Sequence, residues 1–366
     1  MTRLEVSVDY GAITRNVARL RAATAAQVMA VVKADAYGHG LVPASRAARE
    51  GGATWLGVAQ PDEALALRAA GDTGRILTWL YGPELPARAL LAAGVDLSAS
   101  SLEVLDVIVS AARQDGRRAR VHVCLDTGLA REGVRAEGLS ALLDAALAAD
   151  DTVEIVGAWS HLAWADQPGH PTIDLQAQAF RDALAVIEAR GVVLEVRHLA
   201  NSAATLTRPD LHFDLVRPGI AVYGLPPVED PAGASFGLEP AMSVTASLAL
   251  VKDVPAGQGV SYGHDYTTPA ATRLGLVTAG YADGIFRSAG NRAEVAIDGR
   301  RHRIAGRVCM DQVVLDLGPD APERAGDRVV LIGPDGPSAR DWARAVDTID
   351  YEIVCRFGGL KGKTPA

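Results

Sequence analysis

Over the first two thirds of the chain, short apolar runs alternate with longer stretches whose apolar residues recur every three or four positions. The runs Val28–Val32, Trp55–Ala59, Ile76–Leu80, Val95–Ser98, Ala119–Leu125, Glu154–Ser160, Leu194–Leu199 and Leu215–Val216 have the length and pattern of strands. Between them Pro61–Ala70, Glu84–Ala93, Ser101–Arg113 and Thr172–Arg190 carry the helical period, several of them stopping at glycine. Asp62 and Glu63 after Pro61, and Ser101 with Glu103, are residues that start helices. Eight strand–helix alternations in roughly 220 residues predict an eightfold β/α barrel in preference to an open doubly wound sheet.

The pattern changes after Leu225-Pro226-Pro227. Val228–Pro240 is rich in proline and glycine and reads as a linker. Beyond it Met242–Val251, Arg273–Thr278, Ala293–Ile297, Val308–Leu317 and Arg328–Ile332 alternate apolar with polar, as half-exposed strands do. Turn residues such as Asp298-Gly299 and Pro334-Asp335-Gly336 separate them, and Asp341–Val346 predicts a short helix. The expected fold is therefore α/β. An eightfold β/α (TIM-like) barrel occupies residues 9–230, a mostly antiparallel β domain occupies 236–366, and alternating residues 1–8 add a strand to that domain.

Composition narrows the function classes. With 49% hydrophobic and 22% charged residues the chain is an ordinary globular protein. Its net charge of −8 argues against a general nucleic-acid binder. No apolar run approaches the length of a membrane span. Met1–Val6 lacks the plan of a signal peptide, so a cytoplasmic location is expected. Cys124, Cys309 and Cys355 are far apart and form no Cys-x-x-Cys, which points away from a disulfide framework and from a metal site.

Of 36 basic residues only Lys33, Lys252, Lys361 and Lys363 are lysines, so a lysine closing an apolar strand stands out. At the C-terminal end of a barrel strand the Lys33 amine faces the mouth where barrel enzymes keep their active sites. Partial burial lowers an amine's pKa, and a neutral amine condenses with an aldehyde. From the strand alone, a lysine snorkelling to solvent is the more ordinary reading. Tyr37-Gly38-His39-Gly40 favours the active-site reading by adding a hydroxyl and flexible backbone beside the amine.

The run AVVKADAYGHG (Ala30–Gly40) resembles the pyridoxal-phosphate attachment site of alanine racemases. Similar blocks continue in order: LDTGLAREGV, SHLAWAD, HLANSAAT, VRPGIAVYG, GVSYGHDY, AGYADGIFR, AGRVCMDQ and DTIDYEIVCR. Nine blocks in register across both halves make the resemblance specific. It implies a barrel followed by a β domain, pyridoxal 5'-phosphate as cofactor, and a homodimer whose active sites combine both subunits.

The resemblance also assigns residues. Lys33 holds the cofactor and serves as base on one face of the substrate; Tyr262, from the partner subunit, serves the opposite face. A phenol with an ordinary pKa of ~10 needs positive surroundings to act as a base, and His161 and Arg217 match the residues that supply them. Arg217 faces the pyridine nitrogen; because a guanidinium keeps its proton, the ring nitrogen stays unprotonated and the cofactor is a weaker electron sink. Ser202, Gly219 and Ile220 hold the phosphate, with hydroxyls from Tyr37 and Tyr351. Asn201-Ser202 read alone is a helix N-cap, Arg217 a structural ion pair, and Tyr262 an aromatic in a turn. Arg131 and Met310 bind the substrate, Arg131 through its carboxylate. Asp166, Tyr281, Arg287 and Ile349 line the entrance.

Two positions depart from the pattern. Many members carry a lysine, modified to a carbamate, two residues before Asp126; its task is to orient the arginine matched by Arg131. Cys124 stands there and cannot form that carbamate, so chloride, another carboxylate or water is expected in its place. Ala130 replaces a residue that is often Gly or Asn, a change expected to affect loop detail.

The expected activity is interconversion of L- and D-alanine, supplying D-alanine for peptidoglycan, with a small amino acid as substrate and neither nucleic acid nor membrane as partner. The competing readings are a racemase of broader specificity (serine or other small amino acids) and a non-catalytic pyridoxal-phosphate-binding regulatory protein. The first kind is often exported; the second usually stops after the barrel. Related decarboxylases place a carboxylate where this chain has Arg217.

Overall fold

The computed structural model describes residues 4–82, 84–228, 236–359 and 364–365. They form two compact units: one of Gly11–Ala36 and Leu41–Glu239, the other of the chain up to Tyr10, Tyr37–Gly40 and the chain from Pro240 onward. The chain opens with β1 (Leu4–Val8), which belongs to the second unit, and continues through α1 (Tyr10–Ala22). Then come β2 (Gln27–Val31), a single turn α2 (Lys33–Tyr37), α3 (Leu41–Glu50), β3 (Trp55–Val58), α4 (Pro61–Ala69) and β4 (Arg75–Thr78). They are followed by α5 (Ala87–Ala92), β5 (Asp96–Ala99), α6 (Leu102–Asp115), β6 (Ala119–Cys124), α7 (Ala136–Leu147) and β7 (Val153–Trp159). The unit ends with α8 (Thr172–Ala189), β8 (Val196–His198), α9 (Ser202–Thr207) and β9 (Leu215–Val216).

Strands β2 to β8 pair in parallel in chain order, and β9 pairs with β2 through Gln27↔Leu215 and Val28↔Val216. Beyond the ends of β8 and β9, Asn201 bridges Arg217, and the Arg217 N–H donates to the Ala200 carbonyl at 2.8 Å. The sheet therefore closes into the expected barrel, with strand bounds within a few residues of those read from the sequence. One part of its core is apolar: Met29, Trp55, Leu77, Val196 and Leu215, with Trp79 against them. Elsewhere buried Asp96, Ser98, His122 and His198 sit on the strands, and the Trp159 indole donates to Ser98 Oγ at 2.9 Å.

The second unit is built on the long strand β10 (Met242–Val254). It continues with the hairpin β11 (Gly259–Val260) and β12 (Tyr266–Thr267), then β13 (Thr272–Val277), β14 (Glu294–Ile297), β15 (Arg300–Arg303), β16 (Val313–Gly318) and β17 (Arg328–Ile332). Helices α10 (Ala339–Val346) and α11 (Asp350–Gly358) and the short β18 (Thr364–Pro365) end it. The first half of β10 lies between β1 and β17, all antiparallel; its second half pairs with β13, which pairs with β16. The N-terminal strand β1 thus belongs to the β unit. Asp298 and Gly299 (φ 47° and 75°) form the two-residue turn between β14 and β15.

One expectation is corrected here. The predicted strand Val308–Leu317 begins only at Val313: the Cys309 N–H turns back to the Gln312 carbonyl at 3.0 Å, leaving Met310 exposed at the bend. Helix α11, which carries Tyr351, is not evident in the alternation. The predicted linker Val228–Pro240 is described only at its ends, because 229–235 lie outside the described residues.

Ser338 starts α10 with a capping box, its hydroxyl accepting from Asp341 N–H at 3.1 Å and Asp341 accepting from Ser338 N–H at 2.8 Å. Trp342 on this helix is fully buried, donates to the Leu331 carbonyl at 2.6 Å and meets Phe357 of α11 edge-on. Helix α11 in turn packs against Gly38. A Cβ on Gly38 would lie 2.7 Å from the Val354 carbonyl oxygen, and one on Gly358 only 2.0 Å from the Gly38 oxygen. The two backbones touch, and only glycine at both positions permits it. Gly358→Ala is expected to cost about 1–3 kcal/mol of stability through this overpacking, read as a lower urea midpoint. An unchanged midpoint would show that the contact yields easily.

Candidate active site

Lys33 is placed by an unusual turn. After β2, the Val32 N–H donates to the Gly57 carbonyl at 2.8 Å, and the next residues reverse hand. Ala34, Asp35, Ala36 and Tyr37 have φ between 52° and 56°, a left-handed turn made of L-residues without glycine. Each such residue costs roughly 1–2 kcal/mol. Side-chain bonds hold it: the Asp35 carboxylate accepts the Leu41 N–H at 2.7 Å, and the Asp35 N–H donates to Glu63 at 3.2 Å. The result is a half-buried Lys33 at the C-terminal end of its strand.

Arg217 follows β9 and is 5% exposed. Its guanidinium donates to the carbonyls of His198 and Ser160 at 2.7 Å each, and lies 5.1 Å from the centre of the Trp159 ring. Its remaining contacts are Nδ1 of His198 and Nδ1 of His161, both at 3.3 Å. A guanidinium only donates, so both Nδ1 atoms accept and each ring carries its proton on Nε2. The assignment propagates. His198 Nε2 donates to His122 Nδ1 at 2.9 Å, which leaves His122 Nε2 to donate to Asp96 Oδ2 at 3.4 Å. Four side chains thus form a directed chain from Arg217 to a carboxylate at the start of β5.

The charges agree with this order. Burial lowers Arg217 to about 10, still protonated at neutral pH. Burial, then the charge of Arg217, holds His198 well below the ordinary imidazole value. His161 is pushed down to about 3 by desolvation, then by Arg217, Arg131 and Lys33. At Asp96 burial acts upward, but the His122 hydrogen bond and the charges of Arg120 and Arg75 together hold the carboxyl below its usual range. Lys33, His161, Arg131 and Arg217 therefore share one positive neighbourhood, and the imidazole inside it is neutral.

At the neighbouring strand ends, Asn201 rather than Ser202 caps α9, accepting the Ala204 N–H at 3.1 Å. The Ser202 hydroxyl instead accepts the N–H groups of Gly219 and Ala221 at 2.8 and 3.3 Å, around Ile220. With both acceptor positions used, its own proton remains to donate. Arg131 lies on the loop after β6 and is held by Glu132. On the same loop Ala130 has φ 57°, a left-handed position that favours Gly or Asn and costs alanine roughly 1–2 kcal/mol. Asp166 is exposed on the loop after β7.

The other predicted residues belong to the second unit. Tyr37 and Tyr351 bring their rings to 6.1 Å, and burial, then Tyr351 and Cys355, push the Tyr37 phenol upward, so it stays a donor. Tyr281 and Met310 are neighbours, because the N–H groups of Tyr281 and Ala282 donate to the carbonyls of Cys309 and Met310 at 3.0 and 2.9 Å. Ser261 ties the Tyr262 turn to the same segment through its bond to the Arg307 carbonyl at 2.6 Å. Arg287 lines an open polar hollow of about 310 Å³ with Asp265, Asn291 and Arg307. Ile349 precedes α11 and is exposed.

The family profile "Alanine racemase, N-terminal domain" matches residues 8–227, and "Alanine racemase, C-terminal domain" matches residues 241–361. The chain belongs to the alanine racemase family. It is 55% identical to the alanine racemase of Salinispora arenicola over 99% of this chain and 97% of that one. A solved alanine racemase from D-cycloserine-producing Streptomyces lavendulae superposes with a TM-score of 0.96 at 52% identity, covering 100% and 97% of the two chains. The alanine racemase of Bartonella henselae, solved with covalently bound pyridoxal phosphate, gives 0.88 at 27% identity over 100% of both chains. Against the alanine racemase reading of the sequence, the unforeseen site residues are His122, Asp96 and Glu132. The first two carry a legible signal, a polar residue inside an apolar strand; Glu132 carries none beyond its place beside Arg131.

Neutral His161 has a consequence for pH. Its folded pKa of about 3 lies below the unfolded value near 6.5, so between these limits only the unfolded chain takes up the proton. Stability contributed by this site is present above pH ~6.5 and is lost as pH falls toward ~3. His161→Asn is expected to flatten the fall in unfolding free energy between pH 6.5 and 4, measured by urea titration. Equal slopes in both proteins would contradict a neutral imidazole.

Proposed function

We propose that this chain interconverts L- and D-alanine with pyridoxal 5'-phosphate, through bases on opposite faces of the substrate. The observation that carries the reading is Arg217, a buried, charged guanidinium fixed by two carbonyls and two neutral imidazoles, with Lys33 in the same positive neighbourhood. The donor set fits the cofactor: Ser202 has a hydroxyl proton to give an anionic group, the Gly219–Ala221 segment curves around it, and the Tyr37 phenol stays protonated. Ser202, Gly219, Ile220, Tyr37 and Tyr351 would hold the phosphate, Lys33 the aldehyde carbon, and Arg217 the ring nitrogen.

Bound pyridoxal phosphate supplies a conjugated ring that takes up the electron pair left when the Cα proton departs. Arg217 tempers that uptake, because it retains its own proton and gives none to the ring. Arg131 orients the substrate carboxylate by paired N–H donors, with Met310 beside it. Lys33 takes or returns the proton at Cα on one side, and Tyr262 does so on the other.

We further propose that Tyr262 acts in the site of a second copy of the chain, giving a homodimer with shared active sites. Tyr262, Met310 and Ile349 are 70%, 54% and 60% exposed, high for side chains of this kind grouped on one unit, and an interface would cover them. Asp166, Tyr281, Arg287 and Ile349 would line its entrance. D-Alanine for peptidoglycan, made in the cytoplasm, is the expected product; among the described residues no helix is long and apolar enough to cross a membrane.

Purified protein is expected to absorb near the visible–ultraviolet boundary, and Lys33→Ala to abolish both that band and turnover. Tyr262→Phe should slow exchange of the Cα proton by about 10²–10⁴-fold for one enantiomer and far less for the other. Equal, mild effects on both would remove Tyr262 from the mechanism. Turnover with a panel of L- and D-amino acids checks the substrate; faster reaction with serine than with alanine would replace alanine in the proposal.

A further inference from the structure

The loop after β6 contains a contact that the role of Arg131 does not explain by itself. The loop is closed at its base, where the Val134 N–H donates to the Cys124 carbonyl at 2.9 Å and the Asp126 N–H to the Val134 carbonyl at 3.0 Å. Its tip is braced by the Asp126 carboxylate, which accepts the N–H groups of Gly128 and Ala130 at 3.0 Å each. At Gly133 (φ 110°) the chain presses on the end of β6; a Cβ there would lie 2.6 Å from the Asp126 nitrogen and 3.2 Å from Cys124 Sγ. Glu132 is thereby held over the strand end that carries Cys124.

From this position Glu132 grips Arg131 with both oxygens: Oε2 takes Nε–H, and Oε1 takes an NH2 proton at 2.6 Å. Paired parallel bonds fix the plane of a guanidinium as well as its place. The fixing matters because the Arg131 side chain is 56% exposed, whereas Glu132 is 21% exposed. Cys124 supplies no charge: burial, then the nearby Glu132, keep its thiol protonated. Glu132 also contributes to the field at Arg217, so it belongs to the same neighbourhood as the proposed chemistry.

We infer that Glu132 is the positioning residue for Arg131, a genetically encoded carboxylate standing where many relatives use a lysine carbamate. The inference rests on the proposed role of Arg131 as clamp for the substrate carboxylate. Of the three substitutes expected from the sequence, the carboxylate is the one that the chain itself supplies to Arg131. A neutral thiol replaces the modified lysine, and the negative charge moves eight residues along the chain to Glu132, adjacent to the arginine that needs it.

The test compares Glu132→Gln, Arg131→Ala and the double variant Cys124→Lys/Glu132→Gln in the full-length holoenzyme, with melting temperature as control for folding. Glu132→Gln is expected to raise KM for alanine on the order of tenfold with kcat changed much less, the signature of lost carboxylate binding. In ¹⁵N spectra of the same proteins, a slowly exchanging arginine Nε–H signal, absent from Arg131→Ala, should be lost in Glu132→Gln. In the double variant the amine of the introduced lysine can add to CO₂, forming one N–C bond and releasing one proton. With ¹³C-bicarbonate a carbamate carbon signal should then appear and KM return toward the starting value. Unchanged KM and an unchanged Nε–H signal in Glu132→Gln overturn the inference, as does a double variant that forms the carbamate yet stays as impaired as the single. If Arg131→Ala itself leaves KM unaltered, the reading of Arg131 fails instead. A lower melting temperature without a KM effect reduces Glu132 to a structural ion pair.

Discussion

A full positive charge lies inside the barrel at Arg217, with no carboxylate within ion-pairing distance among the described residues. Removing such an ion from water costs several kcal/mol. The barrel offsets the cost with two carbonyl oxygens, the face of Trp159 and two imidazole lone pairs. Each of these has a consequence elsewhere. The carbonyls are those of Ser160 and His198, so the ends of β7 and β8 must converge on β9. The lone pairs require His161 and His198 to be neutral and fix the tautomer of both. Through His198 the requirement passes to His122 and ends at Asp96, which Arg75 and Arg120 hold as an anion. The polar part of the barrel core is thus one connected arrangement, running from the Arg217 guanidinium to the Asp96 carboxylate.

The sequence is most legible where one physical cause dominates. Parallel barrel strands are buried on both faces and read as short apolar runs, so Val28–Val32 and Trp55–Ala59 differ from the observed strands by a residue or so. Helix α3 is harder to see, because LVPASRAARE buries alanines and a serine rather than large apolar side chains. Val308–Leu317 misleads because its apolar residues serve two structures, an exposed bend and then a strand. For the site, Lys33 is visible through the scarcity of lysine, and Arg217 through its place before Pro218-Gly219. His122 carries a weaker signal, because it shares Ala119–Cys124 with Arg120 and its part in the site shows only when the inward-facing positions of neighbouring strands are aligned. Glu132 is hidden for another reason: an acidic residue in a polar loop ordinarily points to water, and only the path of the chain at Gly133 turns it back toward β6.

The left-handed turn at Ala34–Tyr37 has a meaning beyond placing one side chain. Four residues at roughly 1–2 kcal/mol each amount to about 4–8 kcal/mol of backbone strain, a large share of the 5–15 kcal/mol that typically separates folded from unfolded protein. Glycine at these positions would relax the backbone, and it would also let the lysine amine wander among many more places. The chain instead gives up folding free energy to hold one lysine amine in place. The group proposed to anchor the cofactor is therefore mounted on strained backbone, restrained there by Asp35 and by the apposed backbones of Gly38 and Gly358.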